Sequence, residues 1–355
     1  MSSINSVSKY LFISLLVLCL GAFNVSAANE WSDYGIDTRA EDGAASGDTA
    51  IALGAESRAA GIFDDNGNNF DLENVRVTAS LSKSGFDAVA SLEYDGSDLD
   101  ILNASLGTAL YGNFANVKVG RFLMPADRNI ADVPYHTTVW YGTDVVSKWS
   151  SPQNSFMGDG VSVSGAVVVA GDLGLDYSVG VFDGGVGDAI IAARADIAIP
   201  ALEGLALGVN VQSQNDAFGA GQDFFGVGVD ALYTTALSVG VAKVTASFVD
   251  YDLDGAAYTP GSGRNAGDGF SAGTSLLLNN TTSVGPVAIA VEPFFLYQNF
   301  DYADGATGSS ERFDVGANFH LTGFPGSKVT VGYFSDDPAS GSTNDGAIVG
   351  LQVVF

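Results

Sequence analysis

The chain is short of most things that hold a secreted or soluble protein together. It has one cysteine, Cys19, in 355 residues. That cysteine sits in the amino-terminal apolar run, so the remaining chain has no disulfide to staple a small core. A lipoprotein modification at Cys19 would need a small residue before it, and Leu18 fills that place. Basic residues are scarce: 14 Lys and Arg stand against 41 Asp and Glu. So acidic a chain is a poor partner for nucleic acid, which selects basic patches. Beyond residue 23 no apolar run approaches the roughly 20 residues of a membrane-spanning helix. Only two histidines occur, His136 and His320, and neither H-E-x-x-H nor G-x-S-x-G appears. No enzyme motif, cofactor motif or complete metal motif is present. Asp250, Asp252 and Asp254 followed by Gly255 open like a calcium loop. The twelfth position, where a bidentate Glu belongs, is Gly261.

What is present begins with a leader. Lys9 precedes the apolar stretch Tyr10 to Phe23, and Val25-Ser26-Ala27 supplies small residues for cleavage. This order predicts a secretory signal peptide over residues 1–28 and a single domain over residues 29–355. Removing Lys9 leaves 13 basic and 41 acidic residues. Acid at Asp64-Asp65, Asp250, Asp252, Asp254 and Asp336-Asp337 reads as solvated loop charge.

The dominant pattern is period two. In Asn74 to Ser82, Val75, Val77, Ala79 and Leu81 form one row, and Asn74, Arg76, Thr78, Ser80 and Ser82 the other. Arg312 to Leu321 repeats it, with Phe313, Val315, Ala317, Phe319 and Leu321 on the apolar side. Successive residues of a strand face opposite sides. Sixteen such segments start near Ala50, Asp71, Phe86, Leu99, Asn116, Gly160, Leu173, Ala189, Leu205, Phe224, Val239, Gly269, Pro286, Glu311, Lys328 and Ala347. Tight joins such as Lys83-Ser84-Gly85 alternate with long polar ones such as Leu253 to Asp268. An even count with alternating short and long joins predicts an all-β, antiparallel transmembrane barrel. A soluble sandwich would alternate too, with its apolar rows facing a shared core. Aromatics near strand ends, namely Tyr94, Tyr111, Phe182, Tyr251, Phe300, Tyr302, Tyr333 and Phe334, are expected in interfacial girdles. The last strand ends Val349, Leu351, Val353, Phe355 on one row, and it leaves no free edge if it closes the ring.

Several segments carry a family resemblance. They are Phe70-Asp71-Leu72-Glu73-Asn74-Val75-Arg76-Val77, Ser91-Leu92-Glu93-Tyr94-Asp95, Val117-Lys118-Val119-Gly120-Arg121-Phe122-Leu123-Met124-Pro125, and Gly160 to Gly165. Together they resemble the phosphate-selective porin O/P family of Gram-negative outer membranes, over Gly54 to about Gly184. The resemblance implies a sixteen-stranded barrel, a homotrimer, and a third extracellular loop folded into the pore. The stretch Leu123 to Asp159 lacks sustained alternation, and loops beyond about 12–15 residues are usually functional. Asp127, Arg128, Asp132, His136, Asp144 and Lys148 are therefore the candidate constriction residues, since charges in an ion path set selectivity.

Arg58, Arg76, Arg194, Lys243, Arg312 and Lys328 fall on polar rows and are expected to face the lumen. There they either form a basic ladder or pair with Glu56, Glu73, Glu93, Asp196 and Asp314. Arg121 falls on the apolar row, which a bulge near Gly120 or a rim position would accommodate. The expected function is passive diffusion of small hydrophilic solutes or ions, with the acid excess favouring cations. The expected surroundings are outer-membrane lipid and lipopolysaccharide. Anion or phosphate selectivity, a plugged receptor or adhesin barrel, and a lipid hydrolase using a Ser–His pair near His320 are the alternatives.

Overall fold

The computed structural model describes residues 49–65, 67–94, 97–111, 114–125, 157–168, 174–184, 188–199, 202, 204–216, 223–253, 266–279, 281–284, 287–302, 308–322, 326–339 and 342–354. The predicted leader lies outside them, as do Asp127, Arg128, Asp132, His136, Asp144, Lys148, Asp254 and Phe355.

Every described element is a strand. They are β1 Thr49–Asp64, β2 Gly67–Lys83, β3 Phe86–Tyr94, β4 Leu99–Tyr111, β5 Ala115–Leu123, β6 Met157–Val168, β7 Gly174–Phe182, β8 Ile190–Ala198 and β9 Leu205–Gln214. There follow β10 Phe224–Leu237, β11 Gly240–Leu253, β12 Gly267–Leu278, β13 Thr281–Val284, β14 Val287–Tyr302, β15 Ser309–Thr322, β16 Lys328–Asp337 and β17 Asn344–Val354. Apart from β12 and β13, which both pair with β14, neighbours in sequence pair antiparallel, and β1 pairs with β17 from Glu56–Val354 to Asp64–Gly346. That last ladder closes the sheet into a barrel with sixteen strand places. Each predicted start lies within four residues of an observed one.

The seventeenth strand has a local cause. β12 pairs with β14 from Gly267–Tyr302 to Ser275–Phe294, and β13 resumes the same place at Thr281–Ala290. Pro293 lies beside the break and has no N–H to offer a neighbour, so the ladder is interrupted there. Elsewhere the turns obey ordinary hairpin chemistry. Ser84 and Gly85 join β2 to β3 with φ of 52° and 81°. Two positive φ values in a two-residue loop match the right-handed twist of the flanking strands.

Burial is inverted relative to a soluble protein. On β15 to β17 the apolar row is open: Val315 is 44% exposed, Val331 44%, Val349 45% and Leu351 45%. The opposite row is closed, with Asn318 and Thr330 at 0% and Gln352 at 1%. A sandwich would bury the first row and wet the second. The fold is therefore a barrel with its apolar face outward.

Two expectations from sequence are corrected. Phe182, Tyr251, Phe300 and Phe334 are buried and stand on inward rows, while Tyr111 and Tyr333 are exposed on the outside. The inward rings lie over glycines: Phe182 over Gly158 and Gly180, Phe334 over Gly346, Phe294 over Gly316. A missing Cβ leaves room for a neighbour's ring to lie along the wall. Also, Asp64, Asp250, Asp252, Asp336 and Asp337 belong to strands and not to loops.

Candidate functional site: the inner wall and the end of β5

Four of the predicted basic residues are locked into ion pairs on the inner wall. Arg58 Nη2 lies 3.5 Å from Glu73 Oε2. Arg76 donates through Nε and Nη2 to Glu93 Oε2 at 3.1 and 2.8 Å. The register explains this, because Arg76 sits directly between Glu56 on β1 and Glu93 on β3. Arg312 donates to Asp314 from Nε to Oδ2 at 3.0 Å and from Nη2 to Oδ1 at 2.9 Å. Arg194 has two acids. Its Nε and Nη2 bond Asp196 at 2.7 and 2.5 Å, and its Nη1 bonds Asp230 Oδ2 at 2.7 Å. Asp196 and Asp314 follow their arginines by two residues, which puts each pair on one face. Asp230 is different: it reaches Arg194 from β10 across β9, where Gly208 leaves the gap.

Lys328 is 5% exposed and lies in register between His320 and Gln352. Its charged neighbours are Glu292, Arg58, Glu56 and Lys243, which gathers both predicted lysines and two carboxylates on one sector. Arg121 keeps strict register with Ala104 and Asp159, so no bulge turns it inward. It occupies a rim position near the end of β5, with Nη1 3.6 Å from Asp159 Oδ2.

His320 belongs to a cluster centred on Glu292. Glu292 Oε2 accepts from Asn318 Nδ2 at 3.0 Å and lies 2.8 Å from His320 Nε2, and Ser275 Oγ donates to Oε1 at 2.7 Å. A nucleophilic serine must give its proton to the imidazole. Here the serine hydroxyl donates to the carboxylate instead, so the cluster lacks the geometry of a hydrolase. Among the described residues no set of three or more His, Cys, Asp or Glu side chains is placed to hold a metal.

Sequence reasoning missed a neutral row. Asn210 and Gln212 on β9 are buried at 1% and 3%, as are Ser247 and Ser271 on β11 and β12 at 3% and 2%. Their signal was the alternation Val209, Asn210, Val211, Gln212, whose polar members carry no charge to draw attention.

The end of β5, still paired with β6 at Leu123–Met157, also packs against distant strands. Leu123 packs against the buried group Val249, Tyr251 and Phe300, together with Phe224 and Tyr302. β11 and β14 are six and eight places from β5 around the ring. Phe122 and Met124 pack with Phe182, Ile190 and Ala192 on β7 and β8.

No family model matches the sequence, and no curated protein matches it. Solved structures do. The anion-selective porin from Comamonas acidovorans superposes with a TM-score of 0.60 at 14% identity, covering 87% of this chain and 100% of that one. This chain has the porin fold. The complex of Salmonella typhi OmpF with daunomycin gives 0.60 at 12% identity, over 86% and 97% of the two chains. OmpT, an outer-membrane protein of Vibrio cholerae seen in a trimer form, gives 0.56 at 12%, over 86% and 99%. Porin folds of such different sequence share backbone course and closure, while the inner-wall residues described above are this chain's own.

Proposed function

We propose that this chain is a Gram-negative outer-membrane porin that passes small hydrophilic solutes or ions, with a preference for cations. The observation that carries the reading is the inverted burial, with exposed Val, Leu and Phe outside and Arg, Glu, Asn and Gln inside. An outward apolar band suits lipid, and a polar interior suits water. Outer-membrane lipid and lipopolysaccharide are then its surroundings, a homotrimer its assembly, and residues 1–28 its export signal.

The preference for cations rests on charge. Arg58, Arg76, Arg194 and Arg312 each face a carboxylate on the wall, and Arg194 faces two. With the basic groups compensated, the acid surplus of the chain sets the sign of the field. Leu123, reaching Tyr251 and Phe300, supports a constriction by the segment that follows it. Asp127, Arg128, Asp132, His136, Asp144 and Lys148 are its proposed charged members.

The test is a planar lipid bilayer bathed by unequal KCl concentrations. The reversal potential is expected on the K⁺ side. Reversal on the Cl⁻ side would replace the cation reading with an anion-selective one. The gathering of Arg58, Lys243 and Lys328 on one sector is the feature that favours that second reading.

A further inference from the structure

The cluster around Glu292 holds a titratable ring in a fixed frame. The acid is gripped from two neighbouring strands: Ser275 on β12 donates to Oε1 at 2.7 Å, and Asn318 on β15 donates to Oε2 at 3.0 Å. Asn318 is itself oriented, because Thr330 on β16 donates to its Oδ1 at 2.7 Å and leaves Nδ2 turned to the acid. Asn318 and Thr330 are wholly buried. His320 is the open member, with its side chain 33% exposed against 13% for Glu292. It stands two residues from Asn318 and so shares the inward face of β15. An ionised carboxylate can only accept hydrogen bonds. Nε2 of His320, 2.8 Å from Oε2, therefore carries its hydrogen in the neutral ring. An added proton goes to Nδ1, and the bond to Glu292 stays in place. The surroundings give that proton weight. Lys328 on β16 lies directly opposite His320. The charged neighbours of Lys328 are in turn Glu292 on β14, Arg58 and Glu56 on β1, and Lys243 on β11. Arg58 also faces Glu73 on β2. Three bases thus meet three acids, and one further proton tips the sector positive.

We infer that His320 is a proton-operated charge on the inner wall: acidifying the lumen makes it a cation and lowers the pore's preference for K⁺ over Cl⁻. Histidine is the side chain that ordinarily changes charge between about pH 5 and 8. His320 is the one histidine among the described residues. Charge fixed along a pore sets which ions pass. In water, a unit charge about 10 Å from a permeating ion alters that ion's local population roughly twofold. The device works through charge alone. Ser275, Asn318 and Thr330 keep Glu292 where it is in both states, so no strand has to move.

The inference rests on the reading of the barrel as a pore, though not on which ion the pore prefers. The experiment is the K⁺ to Cl⁻ permeability ratio of the full chain in planar bilayers, in dilute KCl where screening is weak. The ratio is followed from about pH 8 to about pH 5. The unaltered protein is expected to lose roughly half of its ratio in one step. His320→Gln keeps a donor for Glu292 and cannot take up a proton, so the step is expected to vanish. His320→Lys carries its charge throughout, so at about pH 8 it is expected to show the ratio that the parent shows at about pH 5. Heat-modifiable migration on gels certifies that each variant has formed its barrel, and His320→Lys keeps the test alive if His320→Gln fails to fold. A flat profile in the parent overturns the inference and leaves the pore standing. So does a step that persists in His320→Gln, which would belong to another group, or a His320→Lys ratio equal to the parent's at about pH 8. Absence of current at every pH overturns the pore, and the inference with it.

Discussion

The wall is built from pairs that single residues can break. Arg194 is held by Asp196 and Asp230, with side-chain exposures of 10%, 27% and 2%. Removing one member of a buried pair typically costs about 3–5 kcal/mol, because the other charge is left uncompensated. Asp196 remains after Asp230→Ala, so the loss is expected at the lower end, about 3 kcal/mol. Gly208→Ala attacks the same trio sterically, since the new Cβ would fall 2.6 and 2.7 Å from the Asp230 oxygens and against Arg194. Overpacking of this kind costs about 1–3 kcal/mol. Urea titration of the folded fraction in detergent measures both, and two variants within experimental scatter of the parent would dismiss the trio as a stabilising unit. The trio also marks how far sequence carries. Arg194 with Asp196 and Arg312 with Asp314 are visible from spacing alone, because residues two apart share a face. Asp230 is not visible, since its approach needs β8, β9 and β10 in register and a glycine between them.

At the scale of elements, alternation located the sixteen strand places, and turn residues such as Ser84-Gly85 bounded them. What alternation does not assign is which row faces inward near a strand's end. Phe182 and Phe334 therefore read as girdle residues, although glycine partners draw both into the barrel. The β12–β13 break was hidden for a related reason, as Pro293 and a slipped register leave the hydrophobic pattern intact. One element-level feature works against stability. Asp268 on β12 stands directly opposite Asp250 on β11 and Asp301 on β14, and all three are exposed. Like charges directly opposed across strands destabilise a sheet. Asp268→Asn is expected to stabilise the barrel by about 0.5 kcal/mol in low-salt detergent. The gain should fade in concentrated NaCl, where the Debye length shrinks to about 3 Å. A gain that survives high salt would mean that repulsion is not its source.

At the scale of the molecule, one closed sheet turns an apolar row outward and a polar row inward. The charged stretch after Leu123 has no period to fix its course, whereas the wall has a period of two along every strand. The wall therefore supplies the sharper test of orientation. Val331 lies mid-strand on β16, 44% exposed, beside Ala317 on β15 and Val349 on β17. If that face meets lipid, Val331→Arg places a charge in hydrocarbon and is expected to cost about 2–4 kcal/mol. If that face meets water, the same change should stay within about 0.5 kcal/mol, as ordinary surface substitutions do. Reversible unfolding in urea from lipid vesicles reads the difference directly. A cost near zero at Val331, repeated at Leu351 on the neighbouring strand, would overturn the membrane assignment, because the inverted burial on which it stands would then have no energetic consequence.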